Sequence, residues 1–262
     1  MFRRFAEFFK AIPGNFGMIL SNFPAIRAIT VACVAVYILQ WLASFVVIRV
    51  GGGSWNLAAM LSAVFGLHWP LFSHGCIWQP LTYAFLHGSL WHLVLNLFSL
   101  VFLGYAVENL LGTRRFWLVF LASSVAGGIG WMLFDIVEPH LWYWVAQTGD
   151  LGLALAQRWG ESNYGVVAFN VCVGASGGVF GILGAFTALR PRERISLLLF
   201  YVIPVSMEAR QMALLLAALN IFEMVTSMGN IAYAAHLLGG LVGYLMARRI
   251  VRSRSYWEDY YA

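Results

Sequence analysis

Long apolar runs separated by short polar segments dominate the chain, and their lengths suit helices that cross a membrane. A helix needs about 20 predominantly apolar residues to cross a bilayer. By this criterion the pattern predicts six spans, at residues 26–50, 90–111, 116–137, 169–189, 209–228 and 231–247. Ser89, directly before the second span, is well suited to cap a helix N-terminus. The predicted fold class is therefore an all-α membrane protein with a bundle of six transmembrane helices.

Three segments between the predicted spans are either apolar or long, but none of them is suited to cross the membrane. Residues 195–203 are too short and end before a proline, so we expect them at the interface; counted as a span, they would reverse the sixth helix relative to the fourth. Residues 51–88 lack Lys and Arg, are rich in Trp and are broken by Gly and Pro. Because Trp favours the interface, they predict a membrane-embedded loop between helices 1 and 2. Residues 138–165 form a second outer loop, with a short surface helix at 151–159.

The composition agrees with a single membrane domain. Of the 262 residues, 61% are hydrophobic and 10% are charged, whereas soluble domains carry about 25% charged residues. The predicted organisation is a cytoplasmic amphipathic N-terminal segment at 1–25, a six-helix membrane domain at 26–249 and a cytoplasmic tail at 250–262. The net charge of +5 does not indicate nucleic-acid binding, because the basic residues cluster at the ends of apolar runs. The expected partner is the lipid bilayer.

The placement of positive charge predicts the orientation. Of the 16 Lys and Arg residues, only Arg49 and Arg158 fall on the outer side of the six predicted spans. Basic residues concentrate in cytoplasmic loops, so both termini are expected in the cytoplasm. No organelle-targeting segment is evident, which favours a bacterial inner (plasma) membrane.

The cysteines indicate neither a metal site nor a definite disulfide. Cys33 lies within the first span, where it is expected to be a small core residue. Cys76 and Cys172 both fall near the outer face, which leaves open whether they pair. No metal-ligand spacing is present, and neither a metal nor another cofactor is expected.

Two polar residues lie within predicted spans at similar depth. Ser176 is seven residues from the outer start of the fourth span and His236 is five from that of the sixth, or roughly 10 Å and 8 Å of helix. An intramembrane histidine is costly and generally functional, and a hydroxyl with an imidazole suffices for nucleophilic catalysis. Glycines that permit close helix approach accompany both residues: Gly174, Gly177, Gly239 and Gly243.

His92 and Asn96 add two donors on the second span. They are four residues apart, share one helix face and lie near its outer end. Acyl transfer develops negative charge on an oxygen, which hydrogen-bond donors stabilise. Together with the backbone N–H of Ser176, these residues predict an oxyanion hole.

Each signal taken alone has a less specific interpretation. A lone serine in a membrane helix usually bonds a carbonyl one turn earlier, and a lone histidine often serves as a proton relay or ligand. Gly174-x-Ser176-x-Gly178 matches the nucleophile elbow of soluble hydrolases, but the strand and sheet that this motif needs are not predicted. The hypothesis therefore depends on four polar groups on three helices at one depth.

Several motifs follow one another from Trp78 onward: Trp78-Gln79, residues 82–89, His92-x-x-x-Asn96, Gly104-x-x-x-Glu108-x-x-x-Gly112, Gly174-x-Ser176-Gly177 and Ala235-His236-x-x-Gly239-x-x-x-Gly243. Each is loose alone, but in this order the chain resembles the rhomboid family of intramembrane serine proteases.

The resemblance implies a dyad without a third acidic member, with Ser176 as nucleophile and His236 as general base. It implies that His92, Asn96 and the Ser176 amide form the oxyanion hole. It further implies cofactor-free cleavage of transmembrane protein substrates near the outer face, and a six-helix rhomboid-like bundle with the embedded loop. Phe180 occupies the position at which some members have a tyrosine that stacks on the histidine.

Two other function classes compete with the protease. A catalytically inactive rhomboid-like binder or adaptor of client transmembrane helices is disfavoured by the completeness of the motifs. A small-solute transporter with His236 and Glu223 in a proton path is disfavoured because no internal repeat is evident. Glu223 is otherwise expected to reach the outer interface.

Overall fold

The structure is a computed structural model and describes residues 20–50, 53–147, 149, 171–199, 203–226 and 232–253. Within them the chain is mainly helical, with two short antiparallel hairpins. In chain order the elements are α1 (Pro24–Ala43), β1 (Val47–Val50), β2 (Gly53–Asn56), α2 (Leu57–Phe65), α3 (Trp69–Ser73), α4 (Gln79–Thr82), a 3₁₀ turn (Tyr83–Phe85), α5 (Leu90–Leu111), α6 (Thr113–Ala146), α7 (Ser176–Leu189), β3 (Arg194–Leu199), β4 (Ile203–Glu208), α8 (Ala209–Thr226) and α9 (Tyr233–Arg252).

The described helices are those of a membrane protein. By length and composition three of them can cross a bilayer, namely α1, α5 and the Thr113–Val137 part of α6. Helix α7 is apolar but shorter. Helices α8 and α9 cover most of the fifth and sixth predicted spans. The membrane fold is thus supported, and the number of six spans stays a prediction.

The first predicted span is too long at its C-terminal end. Helix α1 stops at Ala43, where the Ser44 hydroxyl donates to the Trp41 carbonyl at 2.6 Å. Strand β1 follows and pairs antiparallel with β2. Strand β1 is rich in β-branched residues, which suit an extended backbone. Hydropathy alone does not separate such a strand from the end of an apolar helix.

A buried glutamine holds together the segment between α1 and α5. Gln79 is fully buried, and its amide nitrogen donates to the Ala63 carbonyl at 2.9 Å. Its side-chain oxygen accepts the His68 backbone N–H at 3.1 Å. Leu67 then exchanges two backbone hydrogen bonds with Cys172, at 2.9 and 3.0 Å. The segment is therefore attached directly to the chain that leads into α7.

Helix α5 coincides with the predicted second span, and Ser89 caps it by accepting the His92 backbone N–H at 3.1 Å. At its other end the buried Glu108 carboxylate accepts the N–H groups of Ala25 at 2.9 Å and Ile26 at 3.1 Å. Since helix starts leave N–H groups without intrahelical partners, Glu108 caps α1 from a neighbouring helix.

Helix α6 is longer than the predicted third span. It runs from Thr113 to Ala146 and so includes residues 138–146, which had been assigned to an outer loop. No glycine lies between residues 131 and 146 to interrupt it, and the one proline, Pro139, does not end it. The surface helix expected at 151–159 lies outside the described residues.

One other prediction needs correction. The fourth span was expected to begin at residue 169, yet α7 begins at Ser176. The apolar run 195–203 contributes to the β3–β4 hairpin, paired from Arg194↔Glu208 to Leu199↔Ile203, and its position at the interface stays a prediction. The hairpin strands have six residues each, so they cannot replace a membrane-spanning helix.

Helix α7 is the centre of the core, and glycines bring α9 against it. A side chain at Gly239 would collide with the Gly177 carbonyl, and one at Gly243 would collide with the Gly181 carbonyl. Most of α7 is buried, whereas α1 exposes many large apolar side chains. This is the distribution expected when lipid covers the outer helices. All three cysteines are unpaired.

Candidate active site

Ser176 is the first residue of α7, whereas the sequence predicted that it lies about two turns inside a helix. The preceding chain is extended, and Gly174 has φ +130°, a conformation that favours glycine. Its N–H donates to the Tyr83 carbonyl at 2.9 Å. The unusual backbone at Gly174 ends the extended segment and places the Ser176 hydroxyl at the helix N-terminus.

His236 lies in the first turn of α9 and meets Ser176 directly. Its Nε2 is 2.9 Å from the Ser176 Oγ. The imidazole is buried, with 9% exposure. The predicted depths of Ser176 and His236 were counted from helix starts at residues 169 and 231, and both helices begin later than that. The hydroxyl and the imidazole nevertheless come together, because the glycine contacts draw α7 and α9 close.

Asn220, on α8, completes the surroundings of His236 and was missed by the sequence analysis. Its Oδ1 is 2.8 Å from His236 Nδ1, and its Nδ2 donates to the Leu216 carbonyl at 2.7 Å. One signal could have found it: an amide in the middle of an apolar helix is costly in a membrane and is generally functional.

An aromatic ring fixes the plane of the imidazole. Phe180, one turn after Ser176, stacks on His236 with ring centroids 4.2 Å apart and planes 4° apart. The side chain at this position is a phenyl ring rather than a phenol, so it adds stacking without a hydrogen bond.

The two predicted donors on α5 occupy different environments. The His92 ring lies against Gly174, where an added Cβ would be 2.6 Å from the ring. It therefore sits beside the backbone that leads to Ser176. Asn96 is buried, and its Nδ2 donates to the His92 carbonyl at 2.8 Å. Its amide nitrogen is thus directed along its own helix.

A further histidine supports His92 from the segment before α5. His87 is 2% exposed and meets the His92 ring edge-on, with centroids 5.2 Å apart. Its backbone N–H donates to the Gln40 side chain at 3.0 Å, but neither ring nitrogen has a well-formed hydrogen bond. Burial lowers the pKa of His87 to about 4; His92 adds to the lowering and the Phe85 backbone opposes it.

The arrangement provides a hydroxyl, an imidazole bonded to it and an amide bonded to that imidazole. No group of three or more His, Cys, Asp or Glu residues in the described part of the chain is placed to hold a metal ion. The chemistry that these side chains support on their own is nucleophilic attack by a hydroxyl with histidine as base.

Comparison with known families identifies the scaffold. The Rhomboid domain family matches residues 74–253, which include every side chain of the site. The chain belongs to the rhomboid family.

Named relatives include a protein named as a protease and one named as inactive. The chain is 32% identical over 162 residues to Rhomboid protein 1, mitochondrial, of Saccharomyces cerevisiae, covering 62% of this chain and 38% of the yeast protein. It is 28% identical over 175 residues to Rhomboid protease GlpG of Yersinia pestis, covering 62% and 55%. It is also 31% identical over 118 residues to Inactive RHOMBOID-like protein 8 of Arabidopsis thaliana, covering 44% and 34%. The matched region thus spans between about a third and just over half of each relative.

Proposed function

We propose that this rhomboid is a serine endopeptidase that cleaves transmembrane segments of other membrane proteins near the outer face, with Ser176 and His236 as its catalytic dyad. The observation that carries the proposal is the 2.9 Å contact between Ser176 Oγ and His236 Nε2. General-base catalysis requires a separation of this size between nucleophile and base. The similarity to GlpG, whose name includes rhomboid protease, supports the same chemistry.

The reaction follows from this contact. His236 Nε2 accepts the hydroxyl proton as Ser176 Oγ bonds to the carbonyl carbon of the substrate peptide. The tetrahedral intermediate collapses when the imidazolium gives that proton to the leaving amine, which departs with its bonding electrons. Water then attacks the acyl-enzyme with His236 again as base. The second product, which carries the new carboxyl group, leaves as the serine regains its proton.

The oxyanion of the intermediate requires donors, and the start of α7 supplies them. The first N–H groups of a helix have no intrahelical partner and lie at the positive end of the helix dipole. The backbone N–H of Ser176 is one of these groups. The His92 ring, which lies against Gly174, would donate to the same oxyanion. Asn96 would contribute by exchanging its hydrogen bond to the His92 carbonyl for one to the substrate. Loss of one such donor typically lowers kcat about 10²- to 10³-fold.

The membrane arrangement is part of the proposal. Six spans with both termini in the cytoplasm place Ser176 toward the outer face, and the Trp-rich segment 53–88 lies embedded beside the site. The excess of basic residues on one side supports this orientation. We place the protein in a bacterial inner membrane; its relatives include a mitochondrial and a bacterial protein.

The test uses purified protein in liposomes with a second protein that has one transmembrane segment. Wild type is expected to cut this segment and to react with a fluorophosphonate probe. Ser176→Ala and His236→Ala are each expected to lose both reactions by at least about 10³-fold, since members of one catalytic unit fail together. Ser54→Ala, which changes an exposed serine in β2, is the matched control.

One outcome would favour the second candidate, an inactive binder of transmembrane helices. The similarity to a protein named an inactive rhomboid supports it. If folded wild type neither cleaves nor labels, yet Ser176→Ala binds the same segment as tightly as wild type does, the protease proposal is wrong.

A further inference from the structure

The histidine of the proposed dyad is bonded on both sides. Its Nε2 faces Ser176 on α7, and its Nδ1 faces the Asn220 side-chain oxygen on α8 at 2.8 Å. Asn220 is 6% exposed and His236 is 9% exposed, so water does not compete freely for this hydrogen bond. Three helices therefore meet at one imidazole.

The second hydrogen bond of Asn220 determines which of its atoms faces the ring. Its other amide atom lies 2.7 Å from the Leu216 carbonyl, and a carbonyl can only accept. The NH₂ group must therefore face Leu216, which leaves the amide oxygen facing His236. Because that oxygen also only accepts, the proton of a neutral imidazole must reside on Nδ1.

The position of this proton controls the chemistry on the opposite side of the ring. A neutral imidazole carries one N–H, so an Nδ1–H tautomer leaves Nε2 with a free lone pair. That lone pair points at the Ser176 hydroxyl, as a general base requires. In the other tautomer, Nε2 would hold the proton and could not accept one from the serine.

We infer that Asn220 is a positioning residue, which holds His236 in the Nδ1–H tautomer with its ring directed at Ser176. This inference rests on the proposed function. The amide takes the place that an aspartate occupies in a Ser-His-Asp triad. Being neutral, it orients the ring without adding a buried charge, and burial of a charge would be costly here.

Three variants separate positioning from packing. Asn220→Leu keeps the shape of the side chain but removes the acceptor; kcat is expected to fall roughly 10- to 100-fold with KM nearly unchanged, less than the ~10⁴-fold loss caused by a forced wrong tautomer. Asn220→Asp is expected to restore most of kcat, because a protonated carboxyl can donate to Leu216 and accept from His236. Gln211→Leu, at an exposed position of α8, is the matched control: it also removes an amide oxygen that accepts a hydrogen bond, from the Glu208 backbone N–H at 3.0 Å, but away from His236.

A spectroscopic measurement tests the tautomer without relying on proteolysis. In ¹⁵N-histidine-labelled protein, the His236 signals, assigned by their loss in His236→Ala, are expected to show protonated Nδ1 and bare Nε2. Asn220→Leu is expected to give a mixture of tautomers. The inference is overturned if wild type shows protonated Nε2, if Asn220→Leu leaves the tautomer unchanged, or if Gln211→Leu impairs kcat equally. An Asn220-dependent tautomer in a protein that cleaves nothing supports the positioning and contradicts only the proposed function.

Discussion

At the scale of single residues, several polar side chains inside this apolar protein have specific partners. Glu108 accepts from the start of α1, Gln79 holds the segment before α5, and the Tyr83 hydroxyl donates to the Ser124 carbonyl at 2.8 Å. An unsatisfied polar group is expensive where water is excluded. His87 differs from these residues, because it is buried and its ring nitrogens have no well-formed hydrogen bond.

His87 is expected to make the folded protein sensitive to acid. Its pKa is lowered from 6.5 to about 4 by burial, so between these values the unfolded chain binds a proton that the folded chain does not. Stability therefore falls as pH drops through this window. His87→Phe keeps an aromatic edge against His92 and removes the titration, so its Tm advantage over wild type should grow from pH 6.5 to pH 4.

Thermal unfolding in detergent across this pH range measures the effect. His74→Phe, which changes an exposed histidine of the same segment, controls for the loss of a histidine. Parallel Tm curves for wild type and His87→Phe would contradict the expectation.

At the scale of elements, the site depends on how closely α9 approaches α7. Gly239, one turn after His236, lies against the carbonyl of Gly177, which directly follows Ser176. In lipid, where apolar burial does not drive helix association, such close backbone packing is a main source of stability. The helix contact and the Ser176–His236 contact are thus consequences of the same glycines.

A pair of neighbouring glycines tests this dependence. Gly239→Ala places a methyl group against a backbone carbonyl that cannot turn away, and overpacking of this kind costs about 1–3 kcal/mol. We expect a lower Tm and a lower cleavage rate. At Gly240 the nearest atom to an added Cβ is 3.5 Å away, an ordinary contact.

Gly240→Ala is therefore the matched control and should leave Tm unchanged or raise it slightly, since alanine favours helix. Differential scanning of both variants in the same detergent gives the comparison. Equal Tm values for the two would show that the α7–α9 distance tolerates a methyl group.

At the scale of the whole molecule, the orientation in the membrane would decide from which side the proposed protease cuts its substrate. Of all basic residues, only Arg49 and Arg158 fall on the predicted outer side. The β3–β4 hairpin agrees with this arrangement, because six-residue strands do not add a crossing between α7 and α8. An even number of spans returns the chain to the side on which it began.

Reporter fusions test the orientation. A fluorescent protein fused after Ala262 is expected to fluoresce in a bacterial host, and alkaline phosphatase at the same place is expected to be inactive. Phosphatase inserted after Gly149 should be active, because the proposed topology places that position outside. Active phosphatase at Ala262 would place the C-terminus outside and would overturn the proposed topology.

Much of the fold and of the site follows from local patterns. The apolar run and serine cap of α5 predict its bounds, because both signals reside in neighbouring residues. The choice of Ser176, His236, His92 and Asn96 as candidates follows from the cost of polar groups in lipid. The helix start at Ser176 could not be obtained this way, because a glycine with φ +130° and its hydrogen bond to the distant Tyr83 carbonyl precede it.

By itself, the sequence determined that this is a membrane protein of helices and which polar residues are its candidates for chemistry, since hydropathy and motif order are properties of the linear chain. Only the tertiary structure decided that Ser176 begins its helix, that residues 47–50 and 194–199 are strands and that Asn220 holds His236. Such features arise from contacts between residues, which hydropathy and motif order do not record. A hydrogen bond across 16 residues and two helices leaves no periodic trace in the chain.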